Sequence, residues 1–264
     1  MLKFLFTCVA SLLLFSPLVL AVPCIPVEYN DSGFVKTIND GDTFTLQDGR
    51  RIRLVGIDAP EVDHLQPEKS QPLAVPAKEL LTQLLPAGTP VKMRLDLREK
   101  DKYGRTLAVV VNQSNINVSE VLIKAGLARP YWIPPNYFGW RCYQLHEREA
   151  RAQRVGLWGL PVNQPRSAVS VLPEQRRQVD VVGKITKVEE SAKTLWLVLD
   201  NRIYVGIAKE HLPLFEDLAL RAQLMETVRI TGKVYQAYDK LRMTLEHPWQ
   251  LAFIEKTIPV RTDS

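Results

Sequence analysis

The order of predicted strands and helices occurs twice in this chain, and this repetition constrains the fold more than any other feature. Short runs rich in β-branched and aromatic residues, bounded by turn residues, predict strands, whereas apolar residues three or four positions apart predict helices. Each half has three strands, one helix and two strands. In the first half the strands are predicted at residues 34–38, 43–46, 50–57, 91–98 and 106–111, and the intervening helix at residues 75–85.

The second half repeats this order after residue 178. Three strands, a helix and two strands are typical of an OB-type barrel, which five strands close. We therefore predict a mainly β protein with helices (α+β), in which an OB-type barrel capped by helices at 118–125 and 143–154 precedes a second, smaller OB-like barrel. The elements of the second barrel are predicted at residues 179–188, 195–199, 203–208, 228–236, 241–245 and 250–254 for strands and 211–224 for a helix.

An aperiodic stretch with several prolines separates the two predicted barrels. Its prolines lie among Asn, Gln, Ser and Arg residues, a composition typical of loops. A chain of 264 residues suits two domains of ordinary size. We therefore predict a signal peptide at 1–21, a first barrel domain at 22–160, a linker at 161–178 and a C-terminal barrel domain at 179–264.

The N-terminus has the pattern of a secretory signal peptide. Lys3 gives a positive start, residues 4–15 are almost all apolar, and residues 19–21 form a cleavage segment that ends in alanine. The apolar run is short for a membrane span and Pro17 interrupts it, so an uncleaved anchor is the weaker alternative. The prediction is an exported protein, periplasmic or secreted, that has no membrane association after cleavage.

The cysteines favour one disulfide bond. The chain has three cysteines, and Cys8 lies in the predicted signal peptide. Cys24 and Cys142 remain, and two thiols in an exported protein tend to pair because the compartment is oxidising. Two unpaired cysteines are the alternative that the sequence leaves open.

The net charge of +5 is unevenly distributed along the chain. Residues 180–264 contain equal numbers of basic and acidic side chains, so the whole excess of positive charge lies before them. A polyanion is therefore attracted, though mildly, to the first barrel rather than to the second. In the second barrel, aromatic side chains among Lys and Arg are compatible with base stacking or with core packing, and the sequence leaves both open.

Two acidic clusters and two arginines carry the chemistry of the first barrel. Carboxylates hold hard cations such as Ca²⁺, and guanidinium groups bind phosphate in a bidentate manner, so the set suits phosphodiester hydrolysis. Arg53 and Asp58 are five residues apart, which places them on opposite faces of a regular strand. They can share a site only if the strand kinks, and Gly56 is suitably placed for a kink. The motifs are Asp40-Gly41-Asp42-Thr43, Asp58-Ala59-Pro60-Glu61 and Asp101-Lys102-Tyr103-Gly104-Arg105.

In their order and approximate spacing, these motifs resemble the staphylococcal nuclease (thermonuclease) family over roughly residues 33–159. The resemblance implies that Asp42 and Asp58 ligate Ca²⁺ and that Ala59 binds the ion through its backbone carbonyl oxygen. Thr43 is expected to support the ligands. Asp40 has two alternatives, direct ligation or a role in the turn and around the ligands.

The same resemblance assigns the remaining site residues. Glu61 matches the residue that positions or deprotonates the attacking water, and the two roles stay open. Arg53 and Arg105 match the pair that holds the scissile phosphate. The expected contacts to the bound nucleotide are Lys102 and Tyr103, with Tyr131 and Trp132 as candidate aromatic walls.

The sequence therefore predicts an exported, Ca²⁺-dependent nuclease that acts on DNA and/or RNA. By resemblance it cleaves on the 5′-oxygen side of the phosphate and leaves 3′-phosphate ends. The alternative is a non-catalytic nucleic-acid-binding or protein-interaction module on the same fold. The presence of both acidic clusters and both arginines favours the enzyme.

Overall fold

The computed structural model describes residues 24–254, except for the side chains of residues 174–177. The predicted signal peptide at 1–21 lies outside the described residues. Within residues 24–254, the structure contains no helix that is both long and apolar enough to cross a membrane.

The first domain is built on a closed five-stranded barrel in the order β1-β2-β3-β6-β5. β3 and β6 pair in parallel, and the other neighbours are antiparallel. This closure agrees with the predicted OB-type barrel. The elements of the domain are β1 (Asp31–Ile38), β2 (Thr43–Leu46), β3 (Arg51–Leu54), β4 (Ile57–Asp58), α1 (Ala74–Leu84), β5 (Pro90–Lys100), β6 (Thr106–Val111), α2 (Val118–Lys124), β7 (Arg129–Pro130) and α3 (Trp140–Ala152).

Alternating apolar residues of the strands fill this barrel. Phe44, Leu46, Ile52 and Met93 are fully buried because every second side chain of a strand faces inward. Helix α1 closes one end with its own apolar face, which centres on the buried Leu81. The core therefore lies inside the barrel and under the helices, and the acidic motifs lie at its rim.

The strand predicted at residues 50–57 is broken in two, as the shared site requires. β3 ends at Leu54 and β4 begins at Ile57, and Gly56 between them has a φ of 81°. A Cβ atom on Gly56 would lie 2.7 Å from the ring of Tyr143 and 2.9 Å from Nε1 of Trp132. Only glycine fits this left-handed position at such close approach. The predicted kink at Gly56 is confirmed.

The second domain closes a barrel of the same topology. Its five strands pair in the order β9-β10-β11-β13-β12, and β12 returns to β9. β11 and β13 are the parallel pair, in the place that β3 and β6 occupy in the first barrel. The elements are β8 (Arg166–Ser167), β9 (Glu174–Glu190), β10 (Thr194–Leu199), β11 (Ile203–Ala208), β12 (Thr227–Ala237), β13 (Lys240–Leu245) and β14 (Leu251–Phe253).

Two segments differ from the sequence-based picture. Residues 211–224, predicted as a helix, contain 3-10 helices at Lys209–Leu218 and Leu220–Ala222. Pro213 lacks a backbone N–H and Ala219 has a φ of 43°, so a continuous α-helix does not form. The predicted linker at 161–178 is also structured, because β8 pairs in parallel with β9 and Ala168 and Val171 lie in the second core.

The two domains pack against each other through aromatic rings and charged side chains. The ring of Trp249, from the second domain, lies 5.4 Å from the ring of Trp132 and joins the first core. The ring of His247 stacks on that of Tyr137 with the centroids 3.9 Å apart. Beside these contacts, a buried ion network joins α3 to the second barrel. Its members are Glu147, Arg151, Asp180 and Arg229.

A disulfide bond joins Cys24 to Cys142 with their Cα atoms 5.6 Å apart. The bond ties the start of the described chain to α3. Asn117, which caps the N-terminus of α2, also donates to the carbonyl of Cys24 and to the hydroxyl of Tyr143. The N-terminal segment is therefore fixed to both capping helices.

Candidate functional site

Arg53 lies at the centre of the site, between the two acidic clusters. Its Nη2 atom lies 3.0 Å from Oδ2 of Asp42 and 3.1 Å from Oδ1 of Asp58. Its Nη1 atom donates to the backbone carbonyls of Leu54 and Ile57, both at 2.8 Å. These carbonyls lie on either side of the strand break, so the break folds the chain around the guanidinium group. Asp42 and Asp58, which are predicted to bind the metal, therefore directly contact Arg53, which is predicted to bind the phosphate.

Asp42 is held from several directions and is only 3% exposed. Its Oδ1 atom accepts a hydrogen bond from the hydroxyl of Thr43 at 2.9 Å, and its Oδ2 atom accepts one from the N–H of Ala59 at 2.9 Å. The second acidic motif is thereby tied to the first. Thr43 supports the carboxylate as expected of a neighbouring residue, and Ala59 contacts the cluster through its backbone.

Asp40 stabilises the tight turn that carries Asp42. Its Oδ1 atom accepts a hydrogen bond from the N–H of Gly41 at 2.8 Å. A Cβ atom on Gly41 would lie 2.7 Å from the Cβ of Ala77 on α1 and 2.8 Å from the Cβ of Ala59. Glycine therefore lets the turn approach both α1 and the second acidic motif. In the structure Asp40 stabilises the turn, and its direct ligation of the metal stays a prediction.

Arg105 reaches the site from the hairpin between β5 and β6. Its Nη1 atom lies 3.3 Å from the hydroxyl of Thr43, and its Nε atom donates to Asp101 at 2.7 Å. Although burial acts to raise the pKa of Asp101, hydrogen bonds from Arg105 and Tyr103 hold that pKa below its usual value. The ionised Asp101 therefore fixes the Arg105 guanidinium beside the acidic clusters.

Lys102 and Tyr103 lie at the exposed tip of the same hairpin. Nζ of Lys102 lies 5.0 Å from the centroid of the Tyr103 ring, and the guanidinium carbon of Arg105 lies 5.5 Å from it. Both distances are in the range of cation–π contacts. The tip therefore extends outward from Arg105, and its contact with a nucleotide stays a prediction.

The carboxyl groups of the site crowd one another. Partial burial, a hydrogen bond with Asp40 and the charges of Asp40, Asp42 and Asp58 raise the pKa of Glu61 to about 7. Burial and the charges of Asp42 and Asp40 also raise the pKa of Asp58, against the opposing effect of Arg53. Repulsion among four carboxyl groups is the condition that a bound cation relieves. The oxygen-rich set therefore fits a hard divalent ion.

Of the described carboxyl groups, no three bring ligand atoms within 4.8 Å of one another. Among the described residues, only the group of Cys24, Cys142 and His146 brings three candidate ligand atoms within 4.8 Å of one another. Its two sulfur atoms are bonded to each other, so that group does not offer thiolate ligands. Asp42 and Asp58 offer carboxylate oxygens, the ligand type that hard divalent cations prefer.

Tyr131 and Trp132 have different environments. Tyr131 lies near Asp58, and burial and the Asp58 charge raise the pKa of its hydroxyl. Trp132 is buried and stacks on Tyr143 with the centroids 5.7 Å apart. The candidate role of Trp132 as a nucleotide wall is therefore wrong, because its ring fills the space behind the strand break. Tyr131 stays the candidate.

Sequence reasoning missed Arg129. It lies opposite Asp58 in the short pairing of β4 with β7, where its charge acts to lower the pKa of Asp58. Its Nη2 atom donates to Oδ1 of Asn163 at 2.9 Å, which orients the guanidinium group. In the sequence, Arg129 follows Gly126-Leu127-Ala128 and belongs to none of the acidic motifs, so no motif marks it.

A cleft of about 790 Å³ begins at the second acidic motif and runs between the domains. Asp58, Ala59 and Pro60 line one end of it. The second barrel and the segment before it supply the opposite wall. The other lining residues are Gln71, Pro72, Arg129, Tyr131, Leu157, Leu160, Val162, Asn163, Gln164, Arg166, Gln178, Val179, Asp180 and Lys233.

Known proteins are similar in sequence to this site domain. Residues 51–159 match the sequence profile described as staphylococcal nuclease homologue. An uncharacterized endonuclease of Escherichia coli O157:H7 is 34% identical over 146 residues, which make up 54% of this chain and 87% of that protein. Thermonuclease of Staphylococcus intermedius is 35% identical over 133 residues, which make up 48% of this chain and 76% of that protein.

A third similarity extends beyond the site domain. Endonuclease YhcR of Bacillus subtilis is 29% identical over 209 residues, which make up 72% of this chain and 17% of that protein. The first 160 residues are less than 72% of the chain, so the similarity continues after the first barrel domain. This chain spans less than a fifth of the length of YhcR.

Proposed function

This chain belongs to the staphylococcal nuclease homologue family, a family of nucleic-acid-hydrolysing enzymes, and from this membership we propose that it is an exported, Ca²⁺-dependent nuclease. Its substrates are DNA and/or RNA, and it cleaves on the 5′-oxygen side to leave 3′-phosphate ends. The observation that carries the proposal is the contact of Arg53 with both Asp42 and Asp58. Residues from separate elements converge there in the way that phosphodiester hydrolysis needs.

The chain's own residues have distinct roles in this proposal. Asp42 and Asp58 hold the ion, together with the backbone of Ala59. Arg53 and Arg105 bind the nonbridging phosphate oxygens through permanently charged donors. A preorganised donor of this kind contributes roughly 3–4 kcal/mol to transition-state stabilisation.

The oxygen ligands of Asp42 and Asp58 would hold the ion. Ca²⁺ bound there would neutralise charge on the phosphate and offer a position for water among its oxygen ligands. Glu61 lies beside Asp40 at the edge of the carboxylate group, which suits a residue that orients the attacking water. An ion held by the neighbouring carboxylates would favour the ionised form of Glu61, which would make it a weak base. Water orientation is therefore its principal role in the proposal.

The Cys24–Cys142 bond supports export. Disulfide bonds persist in oxidising compartments and are rare in the cytosol. Together with the N-terminal sequence pattern, this bond supports our proposal that the protein is periplasmic or secreted.

Digestion assays test the function. Plasmid DNA and a synthetic RNA are incubated with the protein in Ca²⁺, in Mg²⁺ and in excess chelator. We expect hydrolysis in Ca²⁺ that chelator abolishes, and fragments of a 5′-labelled oligonucleotide whose mobility changes after phosphatase treatment because they end in a 3′-phosphate. Hydrolysis that is indifferent to chelator, or absent throughout, contradicts the proposal and favours the non-catalytic module.

A further inference from the structure

We propose that the cleft between the domains is an extended binding site for a nucleic-acid strand, and that Arg166 and Lys233 contact phosphates outside the scissile position. This inference rests on the proposed nuclease function, because it assigns the path of the substrate beyond the catalytic residues. It gives the second barrel a defined part in substrate binding.

The cleft is continuous with the candidate catalytic site. Asp58 and Ala59 line one end, and Tyr131 lies next to them. Because Asp58 also contacts Arg53, a strand whose scissile phosphate lies at Arg53 can extend from there into the cleft. The volume of about 790 Å³ lies within the range of about 300–1,000 Å³ that is usual for ligand sites.

The walls of the cleft are fixed relative to each other. Asp180 lines the cleft, and its Oδ2 atom lies 2.6 Å from Nη2 of Arg151 on α3. Arg151 also pairs with Glu147 at 2.7 Å, and Arg229 of β12 lies 3.4 Å from the same glutamate. All four side chains are largely buried. The second barrel is thereby held at the site by charges from both domains, so the cleft is preformed.

The charge that faces the cleft suits a polyanion. Arg129, Arg166 and Lys233 line it, against the carboxylates of Asp58 and Asp180. Asp58 is a proposed metal ligand. Although burial acts to raise the pKa of Asp180, Arg151 and Arg229 hold that pKa low, so the ionised carboxylate is neutralised within the network. The cations remain as the charge that a phosphate backbone meets.

The backbone places Lys233 on the cleft wall. β12 pairs regularly with β9 from Thr227 to Gly232, and the register shifts between Gly232 and Val234. The extra residues at this shift belong to β9, and Lys233 is the β12 residue that lies opposite them, with an exposed side chain. Such irregularities occur often beside functional sites. Here the irregularity falls where the strand faces the first domain's site.

The segment between the barrels forms the remaining wall. Arg166 belongs to β8, which is pinned to β9 through the pairing of Arg166 with Val181. Before it, Asn163 donates to the carbonyl of Leu157 at 3.1 Å, and Gln164 donates to that of Trp158 at 2.6 Å. These bonds fix the segment against the first domain. Sequence similarity to YhcR also continues past the first domain, which agrees with a shared task for the two barrels.

Paired substrates test the proposal. The full chain and an Arg166→Ala/Lys233→Ala variant are compared on a single-stranded oligonucleotide of about twenty residues and on a dinucleotide, both in Ca²⁺. We expect kcat/KM for the long substrate to fall about tenfold relative to kcat/KM for the dinucleotide. Binding of the long oligonucleotide is measured in chelator by fluorescence anisotropy. In the variant, the slope of log K against log salt concentration should be shallower by about 1.4, because each single-strand phosphate contact contributes about 0.7.

The matched control is an Arg221→Ala/Lys193→Ala variant. It removes one arginine and one lysine from exposed positions of the second domain that do not line the cleft. We expect it to retain both the substrate ratio and the salt slope of the unaltered chain. Thermal unfolding of all three proteins reports whether either pair of substitutions disturbs the fold.

The outcomes separate the inference from the proposed function. If the cleft variant changes neither the ratio nor the slope, or if the control variant changes them equally, the inference is wrong. If the unaltered chain hydrolyses neither substrate, the proposed function is wrong, and the salt slope alone then decides whether the cleft binds a strand.

Discussion

The two barrels have the same topology, yet among the described residues only the first carries the proposed catalytic set. Both barrels close with a parallel pair of strands, β3 with β6 in the first and β11 with β13 in the second. These pairs align Ile52 with Thr106 and Ile203 with Leu241. In the first barrel the chain breaks at Gly56 directly after the third strand and turns back around Arg53. In the second barrel, β11 pairs with both neighbours without a break.

The hairpin between β5 and β6 and its counterpart between β12 and β13 extend this comparison. Each barrel has an exposed tyrosine there with an arginine over its ring, Tyr103 with Arg105 at 5.5 Å and Tyr238 with Arg242 at 5.0 Å. Only Arg105 also reaches a residue that holds a carboxylate, Thr43. Function therefore depends on local departures from a regular barrel and on which residues the hairpin meets, and the shared topology does not confer it.

The largest effect is expected for Asp42→Asn, which removes a carboxylate of the set that distinguishes the first barrel from the second. The substitution keeps the shape of the side chain but removes the charge that faces Arg53 and the metal. We expect kcat/KM on an oligonucleotide to fall about 10³-fold, the upper end of the loss for one preorganised group. The matched control is Asp48→Asn, which alters another arginine-paired aspartate of the same barrel, outside the site. Equal activity of the two variants would break the comparison.

The second effect concerns the ions that join the barrels. Asp180→Ala leaves Arg151 without one of its two carboxylate partners in a buried position, and we expect a loss of about 3 kcal/mol in the free energy of unfolding. Urea unfolding measures it. The control is Asp217→Ala, which removes the exposed partner of Arg141, with side-chain exposures of 79% and 58%. That interdomain pair should contribute less than about 1 kcal/mol, so similar losses would contradict the contrast.

The third effect is a pH dependence at the same boundary. Burial lowers the pKa of His247 to about 4, from an ordinary value near 6.5. The unfolded chain therefore binds more protons than the folded chain between these values, and stability decreases as pH falls from about 6.5 towards 4. We expect His247 to contribute about 3 kcal/mol to this decrease. In His247→Asn, whose amide oxygen can still accept from the N–H of Trp249, that part of the slope should disappear.

The smallest effect compares the two hairpin tyrosines. Tyr103→Ala removes a ring beside Arg105, and we expect about a fivefold loss of kcat/KM, which corresponds to about 1 kcal/mol for a contact of this kind. Tyr238→Ala makes the same change in the second barrel, and activity on a dinucleotide should stay unchanged. A loss in the second variant as large as in the first would show that the hairpins are not functionally distinct.

The sequence predicted the barrels and the kink because their causes are local. Alternation of apolar residues defines the strands, and the five-residue spacing of Arg53 and Asp58 required the break that Gly56 provides. The burial of Trp132 was not predictable in the same way. Its neighbour Tyr131 lines the cleft, but Trp132 itself is covered by Tyr143 and Trp249, residues distant in sequence.

The opposite wall of the site was also beyond sequence reasoning. Lys233 and Asp180 belong to a segment with no net charge and no recognisable motif. Their position at the cleft follows from the docking of one barrel on the other, which depends on the pairing of Arg151 with Asp180. A long-range pairing of this kind leaves no periodic pattern in the chain.

The contact of Trp249 with the first domain has a consequence for dissecting the protein. Trp249 lies 5.4 Å from Trp132 and 6.1 Å from Tyr131, so its indole group belongs to the same hydrophobic interior as the ring beside Asp58. A shortened chain that ends before the second barrel loses this indole and exposes apolar surface next to its own reaction centre. The halves are accordingly ill suited to independent expression or to exchange between homologues, and calorimetry of the intact chain should record a single cooperative transition.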